Sequence, residues 1–166
     1  MIAPLVQGTA RTLAILAGGL LAVIVVITSV NVAGFVANGI VRPFDLSVSG
    51  LPGYEDSVSL LVGVSALFML PYCQLTRSHV SVDLFTERLS PAVLRRIVRL
   101  ADVVMAGCAA FLAAMLMRGM FTYRDDGVLT PVLAWPVWPF MIPGIVAAGL
   151  WSLVALALAI DPSLAL

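Results

Sequence analysis

The chain has 166 residues, 61% of them hydrophobic and only 11% charged, and its mean hydropathy is +1.10. Soluble domains carry roughly 25% charge, so this composition excludes a water-soluble enzyme or binding module and indicates an integral membrane protein. Nine basic residues, all arginine, balance nine acidic ones and form no basic face, which excludes nucleic acid as a partner.

About four spanning helices of roughly 20 residues fit this length, with little left for a soluble domain. The expected fold is all-α: one membrane domain over 1–166, with four transmembrane helices at approximately 13–36, 56–76, 98–120 and 137–160. A short amphipathic interfacial segment is expected at approximately 77–97, between helices 2 and 3.

The first span, from Leu13 to about Val36, carries no charge. A cleaved signal peptide would have an apolar region of only about 7–15 residues. Here the apolar run continues past Val25, Val26 and Ile27, so the helix is expected to be retained. Asn31 is expected to hydrogen-bond a neighbouring helix or to sit near the far interface. Residues 38–53, broken by Gly39, Pro43, Gly50, Pro52 and Gly53, read as a loop outside the membrane.

The second span opens at Tyr54-Glu55-Asp56-Ser57, where carboxylates suit a helix N-terminus. Gly63, Ser65 and Ala66 offer a small-residue face, and Pro71 stands one turn before the end, where it kinks without abolishing the helix. The stretch from Pro71 to Phe85 then hinges two apolar halves. Within it Val82, Phe85 and Leu89 recur at helical spacing, with Asp83, Glu87 and Arg88 on the watery side, as in a segment lying along a membrane surface. Ser90 and Pro91 form an N-cap and first helical residue.

From Pro91 to about Thr122 nothing breaks a helix, and its length of about 46 Å exceeds the roughly 30 Å of hydrocarbon. Its first turns, with Arg95, Arg96 and Arg99, are therefore expected outside the bilayer core. Asp102 and Arg118 bound its uncharged part, and both are expected to reach an interface. The fourth span opens at Trp135-Pro-Val-Trp-Pro139 and continues past Pro143-Gly144, with Trp135 and Trp138 suited to the headgroup layer.

Six arginines (11, 77, 88, 95, 96 and 99) fall on the side of the N-terminus and the hinge, and three (42, 118 and 124) on the other. The positive-inside rule then puts the hinge and both termini in the cytoplasm. Cys73 and Cys108 have neither a partner motif nor metal-ligand spacing, and are expected to be unpaired thiols packed as small hydrophobes.

The order of these features resembles the small integral-membrane subunit of tripartite ATP-independent periplasmic (TRAP) transporters. The matching residues are Glu55 at the second span; Pro71-Tyr72; Arg77-Ser-His79-Val-Ser-Val-Asp83, similar to the family's Arg/Gly-His-hydrophobic-x-Val-Asp stretch; and Trp138 through Pro143-Gly144. Ser78 departs from the glycine frequent before that histidine, and the first outer loop is longer.

The resemblance implies a subunit of the bacterial inner membrane that scaffolds a large permease. That permease would carry out sodium-driven symport of a solute, expected to be an organic acid, delivered by a periplasmic solute-binding protein. Glu55, Pro71, Tyr72, Arg77, His79, Asp83, Trp138, Pro143 and Gly144 would then be structural or partner-interface residues, with membrane lipid around them. Catalytic, metal and cofactor sites are not expected: the chain lacks Cys-x-x-Cys, His-Glu-x-x-His, Gly-x-Ser-x-Gly and a phosphate loop.

His79 has no second ionisable group spaced for a proton relay, so a structural or interfacial role is expected. Asp83 is expected to cap a helix or pair with Arg77 or Arg88. Gly18, Gly19, Ala22, Gly63, Ala106, Ala109, Ala110 and Ala113 suit helix–helix contact. Two alternatives are the small subunit of a tricarboxylate-type tripartite transporter and a small four-helix drug/proton antiporter. The antiporter mechanism needs a membrane-embedded carboxylate in the first span, which has none.

Overall fold

The computed structural model describes residues 2–42, 49–78 and 90–165, with side chains from Leu5 onward. Four helices follow in order, α1 (Ile2–Val41), α2 (Tyr54–Leu75), α3 (Pro91–Asp125) and α4 (Trp138–Ile160), and a 3-10 turn at Pro162–Leu164 comes after them. Each helix is long and apolar enough to cross a membrane. At 22 and 23 residues, α2 and α4 match the hydrocarbon thickness. At 40 and 35 residues, α1 and α3 are about 60 Å and 52 Å long, so they tilt or project beyond it. Most of the segment expected to be amphipathic, 79–89, lies outside the described residues, and 91–97 form the first turns of α3.

Local chemistry accounts for the helix ends. Gly53 precedes α2 in a left-handed conformation, φ 74°, which glycine adopts without a Cβ penalty. A Cβ at Gly53 would also overlap the Leu133 side chain. The Ser90 hydroxyl accepts from Val93 N at 3.5 Å and Pro91 opens α3, as expected from the sequence. The fourth helix starts at Trp138. Trp135 and Pro136 belong to the preceding turn, where Leu129 and Pro136 form an isolated antiparallel bridge and Ala134 is left-handed.

The helices lie side by side in the order α1, α2, α4, α3. The central pair runs parallel in constant register, since Asp56 meets Leu133 and Gln74 meets Trp151, each 77 residues further on. Leu67 lies over Gly144 at the same offset. Along α2, α1 runs antiparallel, with Ala10 beside Leu75 and Asn31 beside Leu51. Along α4, α3 runs antiparallel, with Ala106 at Ser152 and Gly119 at Met141.

Both chain ends therefore share one face of the bundle. There Ala10, Leu75, Val154 and Leu158 form a small core, and Gln7 Nε2 donates to Leu164 O at 3.0 Å.

Burial is lowest in α1 and highest in α4. Small residues do not all pack as expected. Ala106 and Ala109 are buried in α3, and Ala113 is half-buried, but Gly18, Gly19, Ala22, Gly63 and Ala110 are exposed. A Cβ at Gly18, Gly19 or Gly63 would meet nothing within 4 Å. Cys73 is half-buried, whereas Cys108 is exposed on α3 instead of packed within the chain. Burying apolar surface against lipid gains nothing over burying it against a helix, so helix composition alone does not select the packed side.

Candidate functional site

The strongest constellation of polar side chains lies where α2 ends, on the face that holds both chain ends. It joins three helices. Gln74 of α2 is 4% exposed; its Nε2 donates to Asp102 Oδ1 of α3 at 2.9 Å, and its Oε1 accepts from Trp151 Nε1 of α4 at 3.2 Å. Arg77 donates from its guanidinium to Asp102 Oδ2 at 3.3 Å, forming an ion pair between a half-exposed arginine and a buried carboxylate. Just beyond, Ser152 Oγ donates to the Ala106 carbonyl at 2.9 Å, locking α4 to α3.

Asp102, expected from its sequence position to reach an interface, lies level with the end of α2 and is enclosed there at 3% exposure, against Gln74 and Arg77. A carboxylate at such a site is tolerated only when paired and hydrogen-bonded, and both oxygens here have donors. Arg77 pairs with Asp102, while Asp83, the partner considered from sequence, lies outside the described residues, as does His79.

A second anchor holds the opposite end. Asp56 Oδ2 accepts from the backbone amides of Val132 and Leu133 at 2.9 and 2.8 Å, fastening the turn before α4 to the start of α2. Thr130 braces the same turn, its Oγ1 accepting from Trp135 N at 3.0 Å. Glu55, the carboxylate singled out by resemblance, is exposed beside it. Asn31 contributes a third tie: its Oδ1 accepts from Leu51 N at 3.0 Å, so its partner is the connection after α1, not a neighbouring helix.

The remaining residues from the sequence reading are spread over both ends. Pro71 is buried and Tyr72 half-buried near the clasp. At the other end Trp138 lies under the Arg124 guanidinium, 5.5 Å from the ring centroid, and Trp135 stacks on Phe140 with centroids 6.3 Å apart. Gly144 admits Leu67, whose Cδ1 would be 2.7 Å from a Cβ there, and Pro143 precedes it within α4. The residues that sequence reasoning passed over are Gln74 and Trp151, and Asp56 was read there only as a carboxylate at a helix N-terminus. A single amide inside an apolar span and a tryptophan far from either span end were the available signals.

Between α1 and α4 an apolar groove of about 580 Å³ is lined by Leu5, Thr9, Leu13 and Val146 among others. The hydroxyls of Thr9 and Thr12 donate to carbonyls of their own helix, so the groove presents chiefly methyl groups. Just outside the fourth span, Asp161 Oδ1 accepts from the Ser163 hydroxyl at 2.6 Å and from Ser163 N at 3.0 Å. These two bonds, the hydroxyl first, hold its carboxyl below the usual carboxylate range. Among the described residues no three His, Cys, Asp or Glu side chains converge as a metal site would require.

Four apolar helices tied by side-chain bonds at both ends define a multi-pass α-helical membrane protein. The family described as tripartite ATP-independent periplasmic transporters, DctQ component, matches residues 31–163, from the second half of α1 through the 3-10 turn. The chain belongs to that family: it is a small membrane subunit of a TRAP transporter, a transporter component and not an enzyme. No curated protein and no solved structure matches it.

Proposed function

We propose that this subunit is a scaffold that braces a large TRAP permease subunit for sodium-driven, binding-protein-dependent uptake of an organic acid across the bacterial inner membrane. The observation that carries this reading is how the buried carboxylates are used. Asp102 is engaged by Gln74 and Arg77, and Asp56 by two backbone amides, so both serve to join elements of the chain. A carboxylate that exchanged protons or ions would have to release such partners in each cycle.

The large permease and a periplasmic solute-binding protein are the proposed partners, with lipid around the exposed apolar faces. The spans at approximately 13–36, 56–76, 98–120 and 137–160, the interfacial segment at 77–97 and the cytoplasmic location of both termini belong to the same proposal. It is supported by the arginine asymmetry and by the shared face of the two chain ends. Glu55, Tyr72, His79, Asp83 and Trp138 are proposed to serve the partner interface, and Pro71, Arg77, Pro143 and Gly144 the helix geometry behind it.

Reconstitution tests the proposal. The subunit should copurify in equal amounts with a much larger membrane protein, and liposomes should take up solute only with that protein, a sodium gradient and the binding protein. Uptake or drug–proton exchange by this chain alone would overturn it and favour the small-antiporter reading.

A further inference from the structure

The end of α2 combines an unfavourable backbone with a favourable charge. Ser78 N donates to Cys73 O at 3.0 Å and Arg77 N to Gln74 O at 3.3 Å. That is the paired bonding of a Schellman helix stop, in which the residue at the Arg77 position is left-handed and usually glycine. Arg77 occupies it with φ 49°. A Cβ disfavours this conformation, so something must hold the arginine in place. Its guanidinium reaches the buried Asp102, which is in turn fixed through Gln74 to Trp151. The clasp is also the main tie between α2 and α3: each packs along another helix, and they share no extended packing of their own.

We propose that Arg77 is a positioning residue whose ion pair with Asp102 holds the left-handed stop of α2, so that the point and direction of chain exit from α2 are coupled to the register of α3. With the clasp closed, α2, α3 and α4 form one block at this end. Sliding or rotating α3 would strip a buried carboxylate of its partners and release the strained stop together. This concerns the chain alone and stands apart from the scaffold reading.

The test uses the full chain purified in lipid nanodiscs, comparing wild type with Arg77→Gly, Arg77→Ala, Asp102→Asn and the double variant Arg77→Gly/Asp102→Asn. Thermal midpoints and the hydrogen-exchange protection of the Ser78 amide are measured. Expected midpoints fall in the order wild type, Arg77→Gly, Arg77→Ala: both variants strand the buried Asp102 carboxylate, a loss larger than the backbone strain that glycine sheds and alanine keeps. In Asp102→Asn, Ser78 protection should drop by about tenfold, the equivalent of the left-handed penalty. The double variant should restore that protection and melt above Asp102→Asn, so the effect of glycine reverses sign.

Arg77→Gly melting at or above wild type would overturn the proposal without reference to Asp102 variants. Unchanged Ser78 protection in Asp102→Asn would overturn it as well.

Discussion

Gln74→Leu is the most informative single perturbation, because the side chain bridges α3 and α4 and leucine nearly conserves its volume. The substitution removes two bonds, a donor to the Asp102 carboxylate at 2.9 Å and an acceptor for the Trp151 indole at 3.2 Å. A hydrogen bond to a charged group contributes about 1.5–3 kcal/mol, and a neutral interhelical bond within a membrane about 0.6 kcal/mol. Asp102 keeps Arg77, which favours the lower part of the range. The expected cost is therefore about 2–3 kcal/mol, taken from those two ranges. For a chain of this size each kcal/mol shifts the melting midpoint by about 2–4 °C, so a decrease of roughly 4–12 °C is expected. Far-UV circular dichroism of the purified subunit in detergent measures it. A midpoint unchanged from wild type would refute the view that the polar bridge, rather than apolar packing, holds the three helices at this end.

Gly53→Ala should destabilise by about 1–3 kcal/mol, since the left-handed backbone penalises a Cβ and Leu133 occupies its space; the same melting experiment reads it. The carboxyl of Asp161 titrates below its ordinary range, so the cap on Ser163 is fully formed above that range and is lost as pH falls through the lowered value. Carbon-detected NMR titration should find the Asp161 pKa raised toward normal in Ser163→Ala, and an identical curve in the variant would contradict the assignment. In a background with Cys73 and Cys108 replaced, Gly127→Cys should react with an impermeant thiol reagent added outside intact cells, whereas Ser163→Cys should be protected. Labelling with the reverse pattern would invert the topology, and equal labelling would deny that the two sites face opposite sides.

Hydropathy by itself determined that the chain is a four-helix membrane protein, because a run of apolar residues long enough to span is a one-dimensional property. Ser90-Pro91 marked the start of α3 for a similar reason: a cap acts on backbone amides two or three residues away. The motif order from Glu55 to Gly144 was also sufficient for the family.

Only the tertiary structure decided which polar residues meet. Gln74, Asp102 and Trp151 come from three helices, and their convergence depends on the parallel register of α2 and α4 and on the rotation of α3 about its axis. Neither quantity is written in any one segment. The same limit explains why Asp56 and not Glu55 fastens the turn before α4, since adjacent helical positions differ by about 100° in direction and hydropathy does not distinguish them. In a soluble protein a polar outer face would have revealed that rotation. Here the outer face is itself apolar, Gly18 and Gly63 are as apolar as the buried Ala106 and Ala109, and only packing separates one side of each helix from the other.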